Sequence, residues 1–164
     1  MDTHIDSTKD QHYAYDFIKP HKENGERLTD YEAFGSEVIA SADGTICQVI
    51  NGSVDVGIGE RDNDVLPGNM VVIDHGNGEW SMLCHFKRNS IIVFEKDKVK
   101  QGDVLGLCGN TGNTSEPHIH YQLQDAALLI KAKGLPAKFK KILVDGKVEE
   151  NIEIERNQKV SNII

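Results

Sequence analysis

Residues 102–123 constrain this chain more than any other stretch. The pattern Val104-Leu105-Gly106-Leu107 reads as a strand, runs into a glycine-rich turn, and is followed by a second strand that opens with His118 and His120. In a strand, residues two apart point to the same face about 7 Å apart, so both imidazoles look over one spot. Imidazole is the commonest metal ligand. The glycines at 106, 109 and 112 let the preceding backbone turn tightly and leave room beside it. A His-x-His pair by itself leaves three readings open: a metal site, two surface histidines, or hydrogen-bonded core residues. A third and a fourth ligand elsewhere in the chain decide between them.

With 164 residues, 38% of them hydrophobic, the chain has the material for one domain with a proper core and too little for two. The expectation is a single domain over 1–164, with its core at about 12–123 and a C-terminal extension over 124–164. A formal charge of -8 repels a phosphate backbone, and no basic run is interleaved with aromatics, which argues against nucleic acid as a partner. No apolar run has the length of a membrane span, and Met1-Asp2-Thr3-His4 lacks the charged and apolar regions of an export signal. Cys47, Cys84 and Cys108 lie far apart without Cys-x-x-Cys spacing and read as small buried residues.

In chain order, His12 and Asp16 stand four apart among aromatics. On a flat strand that spacing separates their Cα atoms by roughly 13 Å, too far to share a zinc whose donors each lie about 2 Å away. A shared ion requires a bend, which the small Ala14 permits; the other reading is an edge strand with its polar residues in water. Residues 18–34 have loop composition. From Gly35 onward, short segments at 36–42, 45–51, 69–74 and 79–86 are rich in β-branched or apolar residues. Asp43-Gly44, Pro67-Gly68 and Gly76-Asn77-Gly78 separate them, which predicts antiparallel sheet. The acidic interval 53–69 lacks EF-hand spacing and reads as a solvated loop at the rim of a site. His75 is explained by capping or bonding to the following turn. His85 alternates with Cys84 and Phe86, so if those two face the core it faces the other side. Residues 91–94 are open between strand and loop. Asp125 predicts a short helix through Ala126, Leu129 and Ile130 up to Gly134 and Pro136. Asp145-Gly146 predicts a hairpin between 141–144 and 147 onward, and the chain from about 155 reads as a frayed tail.

Four pieces fall in one order: His12-x-x-x-Asp16, the segment Val71-Val72-Ile73-Asp74-His75-Gly76-Asn77-Gly78, the lone His85, and Gly109-Asn110-Thr111-Gly112 leading to His118-x-His120. Together with Ala40-x-x-Asp43-Gly44-Thr45 and Val99-x-x-Gly102-Asp103, this combination resembles the lysostaphin/LytM-type zinc metallopeptidases, the peptidoglycan endopeptidase family, over roughly residues 12–123. The resemblance implies a mainly β domain of antiparallel sheets forming a groove, related to the lipoyl/biotinyl barrel-sandwich type, with at most one short helix. It implies Zn2+ held by His12, Asp16 and His120, and catalytic roles for His118 as general base and His85 at the oxyanion or the leaving amine. Three protein ligands suit a catalytic zinc that activates water. No His-Glu-x-x-His is present to supply a glutamate base. The implied substrate is the peptide part of peptidoglycan, and the implied location is extracytoplasmic. The chain departs from the family pattern at Ala14, where glycine is usual, at Leu83-Cys84, where a tyrosine is usual before the histidine, and in the segment before His12.

Two other readings stand beside the endopeptidase. One is a non-catalytic cell-wall-binding or regulatory module of the same fold, expected where ligands have decayed; all five site positions are present here. The other is a lipoyl or biotinyl carrier, which needs a lysine at a hairpin tip that Asp43-Gly44 does not offer.

Overall fold

The structure, a computed structural model, describes residues 11, 13–128 and 131–163. Its backbone is mainly antiparallel β-sheet, and one turn of 3-10 helix at Leu28–Asp30 is the only named helical element among the described residues.

The central hairpin joins β4 (Asn69–Gly76) to β5 (Glu79–Phe86). Asn77 and Gly78 turn it with φ of 56° and 78°, the left-handed pair that matches strand twist. Around this hairpin the main sheet builds in the order β1-β8-β5-β4-β3-β6, with β9 added to β8. Here β1 is Tyr15–Phe17, β3 Gly44–Ile50, β6 Lys98–Val99, β8 Ile119–Gln124 and β9 Gly134–Leu135. A separate pair joins β2 (Glu37–Ile39) to β7 (Val104–Leu107), and a three-stranded sheet is ordered β11-β10-β12. Those strands are β10 (Phe139–Val144), β11 (Lys147–Ile152) and β12 (Val160–Ser161).

Strand alternation gives the main sheet two apolar faces. Tyr15, Ile46, Val71, Ile73, Leu83, Ile119 and Tyr121 enter the larger core, whereas Met70, Val72, Met82 and Cys84 form a second cluster. Cys108 joins the larger core, Cys47 packs half-buried against the smaller one, and all three cysteines are free thiols.

Several expectations need correction. Cys84 and Phe86 do not share a face: the β4–β5 register shifts between Asn69 and Met70, so Asn69 opposes Phe86 and Met70 opposes Cys84. His85 is the extra residue, with φ of 69°, and this bulge sends Cys84 to the smaller cluster and Phe86 to the larger core. The tail is not frayed, because β12 pairs with β10 and the Asp145 carboxylate accepts the Lys159 N–H at 3.1 Å. Where a helix end was expected, Gly134 and Leu135 form β9, and Asp125 Oδ1 accepts the Lys133 N–H at 2.7 Å. Leu129 and Ile130 lie outside the described residues. Residues 91–94 form a loop, tied by the Ile92 N–H to the Leu105 carbonyl at 2.9 Å. His75 bonds not to its turn but to the Asp43 carbonyl and the Ser81 hydroxyl, both at 2.8 Å.

The 145–146 hairpin forms as expected, with Val144 opposite Lys147. Phe139 of β10 packs edge-on against Tyr15 at 5.8 Å and Phe17 at 6.4 Å. The C-terminal sheet thereby grips the core side of β1, and alternation turns Asp16 to the opposite side.

Candidate metal centre

Three separate parts of the chain deliver the site. Strand β1 supplies Asp16, and its neighbour β8 places His120 opposite it in register. The Asp16 carboxylate Oδ1 lies 3.0 Å from His120 Nδ1 and 3.6 Å from His118 Nε2. His85, on its bulge, brings its ring to 4.8 Å from that of His118 and 6.1 Å from that of His120. Asp16 is only 9% exposed, which removes the reading of a polar edge residue in water.

Of the expected site residues, the structure brings together Asp16, His85, His118 and His120. His12 lies outside the described residues. Just before β1, the Ala14 N–H donates to the Gln11 carbonyl at 3.1 Å, so the chain is turned there and not extended. Among the described residues, no group of three or more His, Cys, Asp or Glu is arranged to hold a metal ion.

The hydrogen bonds set the polarity of each ring. His85 Nδ1 lies 2.7 Å from the Thr111 carbonyl, which can only accept, so Nδ1 carries the proton and Nε2 presents a lone pair. His118 Nδ1 lies 2.8 Å from the Glu116 carbonyl, which leaves its Nε2 basic by the same argument. Burial, helped by the neighbouring imidazoles of His118 and His120, pushes His85 down to about 3, so the ring is neutral at neutral pH. Cys84 stands opposite His120 across the strands. Burial, and after it the Asp16 carboxylate, raise its thiol above the ordinary range, so it remains protonated.

The glycine turn and the acidic loop lock together beneath these rings. Asp55 accepts the Asn110 N–H at 2.8 Å and the Arg88 N–H at 3.1 Å, and the Asn110 side-chain amide donates to the Val56 carbonyl at 2.9 Å. The His85 N–H reaches the Pro67 carbonyl at 3.2 Å. The interval 53–69 therefore does rim the site, with Asp55 serving as a stitch between loops.

Sequence reasoning passed over Gln122 and Gln124. Both are fully buried on the face of β8 that carries His120. The signal was present in the alternation His120-x-Gln122-x-Gln124, where three polar residues share a strand face.

The profile of peptidase family M23 matches residues 24–132, a segment that includes His85, His118 and His120 and begins after Asp16. Among curated relatives, the peptidoglycan DD-endopeptidase ShyA of Vibrio cholerae is 35% identical over 107 residues, covering 65% of this chain and 20% of that protein. The cell division protein DipM of Caulobacter vibrioides is 30% identical over 104 residues, covering 62% of this chain and 14% of DipM. This chain thus spans about a fifth or less of the length of these two relatives. Among solved structures, LytU is 23% identical with a TM-score of 0.50, covering 76% of this chain and 69% of that one. Lysostaphin from Staphylococcus simulans is 21% identical with a TM-score of 0.50, covering 76% of this chain and 42% of that one. At these identities the two structures speak to the fold alone.

Proposed function

The chain belongs to peptidase family M23, and from that premise we propose that it is a zinc-dependent endopeptidase acting on the peptide part of peptidoglycan, outside the cytoplasm. The observation that carries the reading is the convergence of Asp16, His118, His120 and His85 from distant parts of the sequence.

The donor chemistry fits a cation. His120 Nε2 lies 3.0 Å from Gln122 Oε1, an acceptor, so Nε2 carries a proton and Nδ1 faces the Asp16 carboxylate. A buried carboxylate oxygen and Nδ1 3.0 Å apart call for a positive charge between them, a proton in the metal-free chain or a cation in its place. An imidazole and a carboxylate are a donor set that zinc accepts. Asp16 and His120 would hold the ion, with His12 as the third ligand on the family resemblance. Bound there, zinc supplies Lewis acidity and makes neutral water nucleophilic.

The remaining steps belong to the side chains. His118 offers a basic Nε2 at the edge of the carboxylate and takes the proton of the attacking water. The Glu116 carbonyl and the Thr114 hydroxyl, 2.8 and 3.1 Å from His118 Nδ1, hold the ring in that orientation. The proton that His118 takes from the water passes to the neighbouring His85 ring, 4.8 Å away, whose Nε2 lone pair accepts it; once charged, His85 stabilises the oxyanion and delivers that same proton to the departing amine. Its burial makes it a willing proton donor in that second role.

The test is digestion of purified cell-wall sacculi with analysis of the fragments by mass. The proposal expects new amine termini with added zinc and none after chelation. Intact sacculi under both conditions, with zinc bound to the protein, would favour a binding module of the same fold.

A further inference from the structure

His120, Gln122 and Gln124 alternate along one face of β8 and point among apolar neighbours. Their cross-strand partners are Cys84, Met82 and Trp80. Three polar side chains in such surroundings are costly unless every group is satisfied. Here they bond in series. His120 Nε2 lies 3.0 Å from Gln122 Oε1, Gln122 Nε2 donates to Gln124 Oε1 at 2.6 Å, and Gln124 Nε2 donates to the Ala126 carbonyl at 2.6 Å.

The direction of this series is set at its far end. A backbone carbonyl only accepts, so Gln124 must turn its amino group toward Ala126 and its oxygen toward Gln122. Gln122 must then give its amino group to Gln124 and its oxygen to His120. The Ala127 carbonyl, 3.5 Å from the same Gln124 nitrogen, reinforces the same orientation. Reversing any one amide places two acceptors or two donors face to face in a buried site.

We propose that Gln122 and Gln124 are positioning residues: anchored on the Ala126 carbonyl, they hold the proton of His120 on Nε2 and so keep Nδ1 available, beside Asp16, as the metal donor. The proposal rests on the reading of Asp16 and His120 as ligands. A histidine ligand commonly has its second nitrogen fixed by an acceptor, and losing that partner costs roughly ten- to a hundred-fold in metal affinity. Here the acceptor is a neutral amide whose own orientation is fixed two residues further along the strand.

The test measures zinc affinity by chelator competition and thermal stability in parallel for the wild type, Gln122→Met, Gln122→Glu and Gln124→Met. Gln122→Met removes the acceptor and is expected to bind zinc roughly ten- to a hundred-fold more weakly. Gln122→Glu keeps an acceptor toward His120 but presents a second one to Gln124. It is expected to melt lower while binding zinc within about three-fold of the wild type. Gln124→Met, remote from the ligands, is expected to weaken zinc binding roughly three- to ten-fold, and it carries the test should Gln122→Met fail to fold. In the zinc-loaded wild type, nitrogen-15 shifts of His120 are expected to show a protonated Nε2 and a metal-bound Nδ1.

Wild-type affinity in Gln122→Met or in Gln124→Met, or coordination of His120 through Nε2, overturns the proposal. Affinities that merely follow the melting temperatures, with Gln122→Glu the worst binder, overturn it too. A wild type that takes up no zinc overturns the functional reading itself, an outcome distinct from a wild type that binds zinc while its variants bind it equally well.

Discussion

Thr111 is fully buried and makes three hydrogen bonds beside the site. Its hydroxyl accepts the Asn69 N–H at 2.9 Å and donates to the Phe86 carbonyl at 2.9 Å, while its own carbonyl takes the His85 Nδ1 proton at 2.7 Å. Thr111→Val leaves the buried Asn69 N–H without that hydroxyl, while the Phe86 carbonyl keeps the Asn69 side-chain amide at 3.0 Å, and should cost about 1–3 kcal/mol in a urea melt. Gly109 acts through space: a methyl there would strike the Lys87 backbone and come within 2.6 Å of Asp55 Oδ1. Gly109→Ala should therefore lower the melting temperature by several degrees, on the order of 2 kcal/mol or more. At this scale the histidines and Asp16 were legible because their order resembles a known family. Gln122 and Gln124 were spelled out in the same strand, but a period-two pattern does not reveal that both of its faces are buried. The tight approach at Gly109 was legible as a need for room, and its partners Lys87 and Asp55 were not.

One carboxylate gathers several of the ties in the loop before β2. Asp30 accepts from the Arg27 N–H at 3.2 Å and from the Arg27 and Lys22 side chains, and these donors hold its carboxyl well below the usual range, the Arg27 side chain foremost. A depressed carboxyl stabilises the loop fully above the unfolded value of about 4 and releases it as pH falls toward the folded value. In an acid titration followed by NMR, the Arg27 amide should stay constant through about pH 4 and move only below it. In Lys22→Ala the transition should shift upward, and an unshifted transition would remove the proposed fastening. Most strands were legible from apolar alternation and turn residues, as with Gly76-Asn77-Gly78 and Asp145-Gly146. The bulge at His85 was not, because alternation presumes a regular pleat and nothing in Leu83-Cys84-His85-Phe86 announces an extra residue. Strand β12 was missed for a different reason: two residues, Val160 and Ser161, are too short a run to show alternation, and they become a strand by pairing with Val144 and Leu143.

Across the whole molecule, the C-terminal sheet and the candidate metal centre lie on opposite sides of β1. Tyr15 and Phe17 take the weight of Phe139 on one side, the Tyr15 hydroxyl donates to the Ala137 carbonyl at 3.4 Å, and Asp16 projects from the other side toward His118 and His120. Phe139→Ala should cost about 2 kcal/mol in stability and, by loosening β1, weaken zinc binding without touching a ligand. A variant that melts lower yet binds zinc as the wild type does would separate the two faces of β1. The fold class was readable from many short strands and turns, whereas this link between the last third of the chain and its first strand depends on contacts more than a hundred residues apart. The decisive measurement is the zinc content of the purified chain, read by mass spectrometry beside His118→Ala and His120→Ala. About one zinc per chain is expected in the wild type and in His118→Ala and almost none in His120→Ala; a metal-free wild type, or a His120→Ala variant that keeps its zinc, would mean that Asp16 and His120 do not hold the ion.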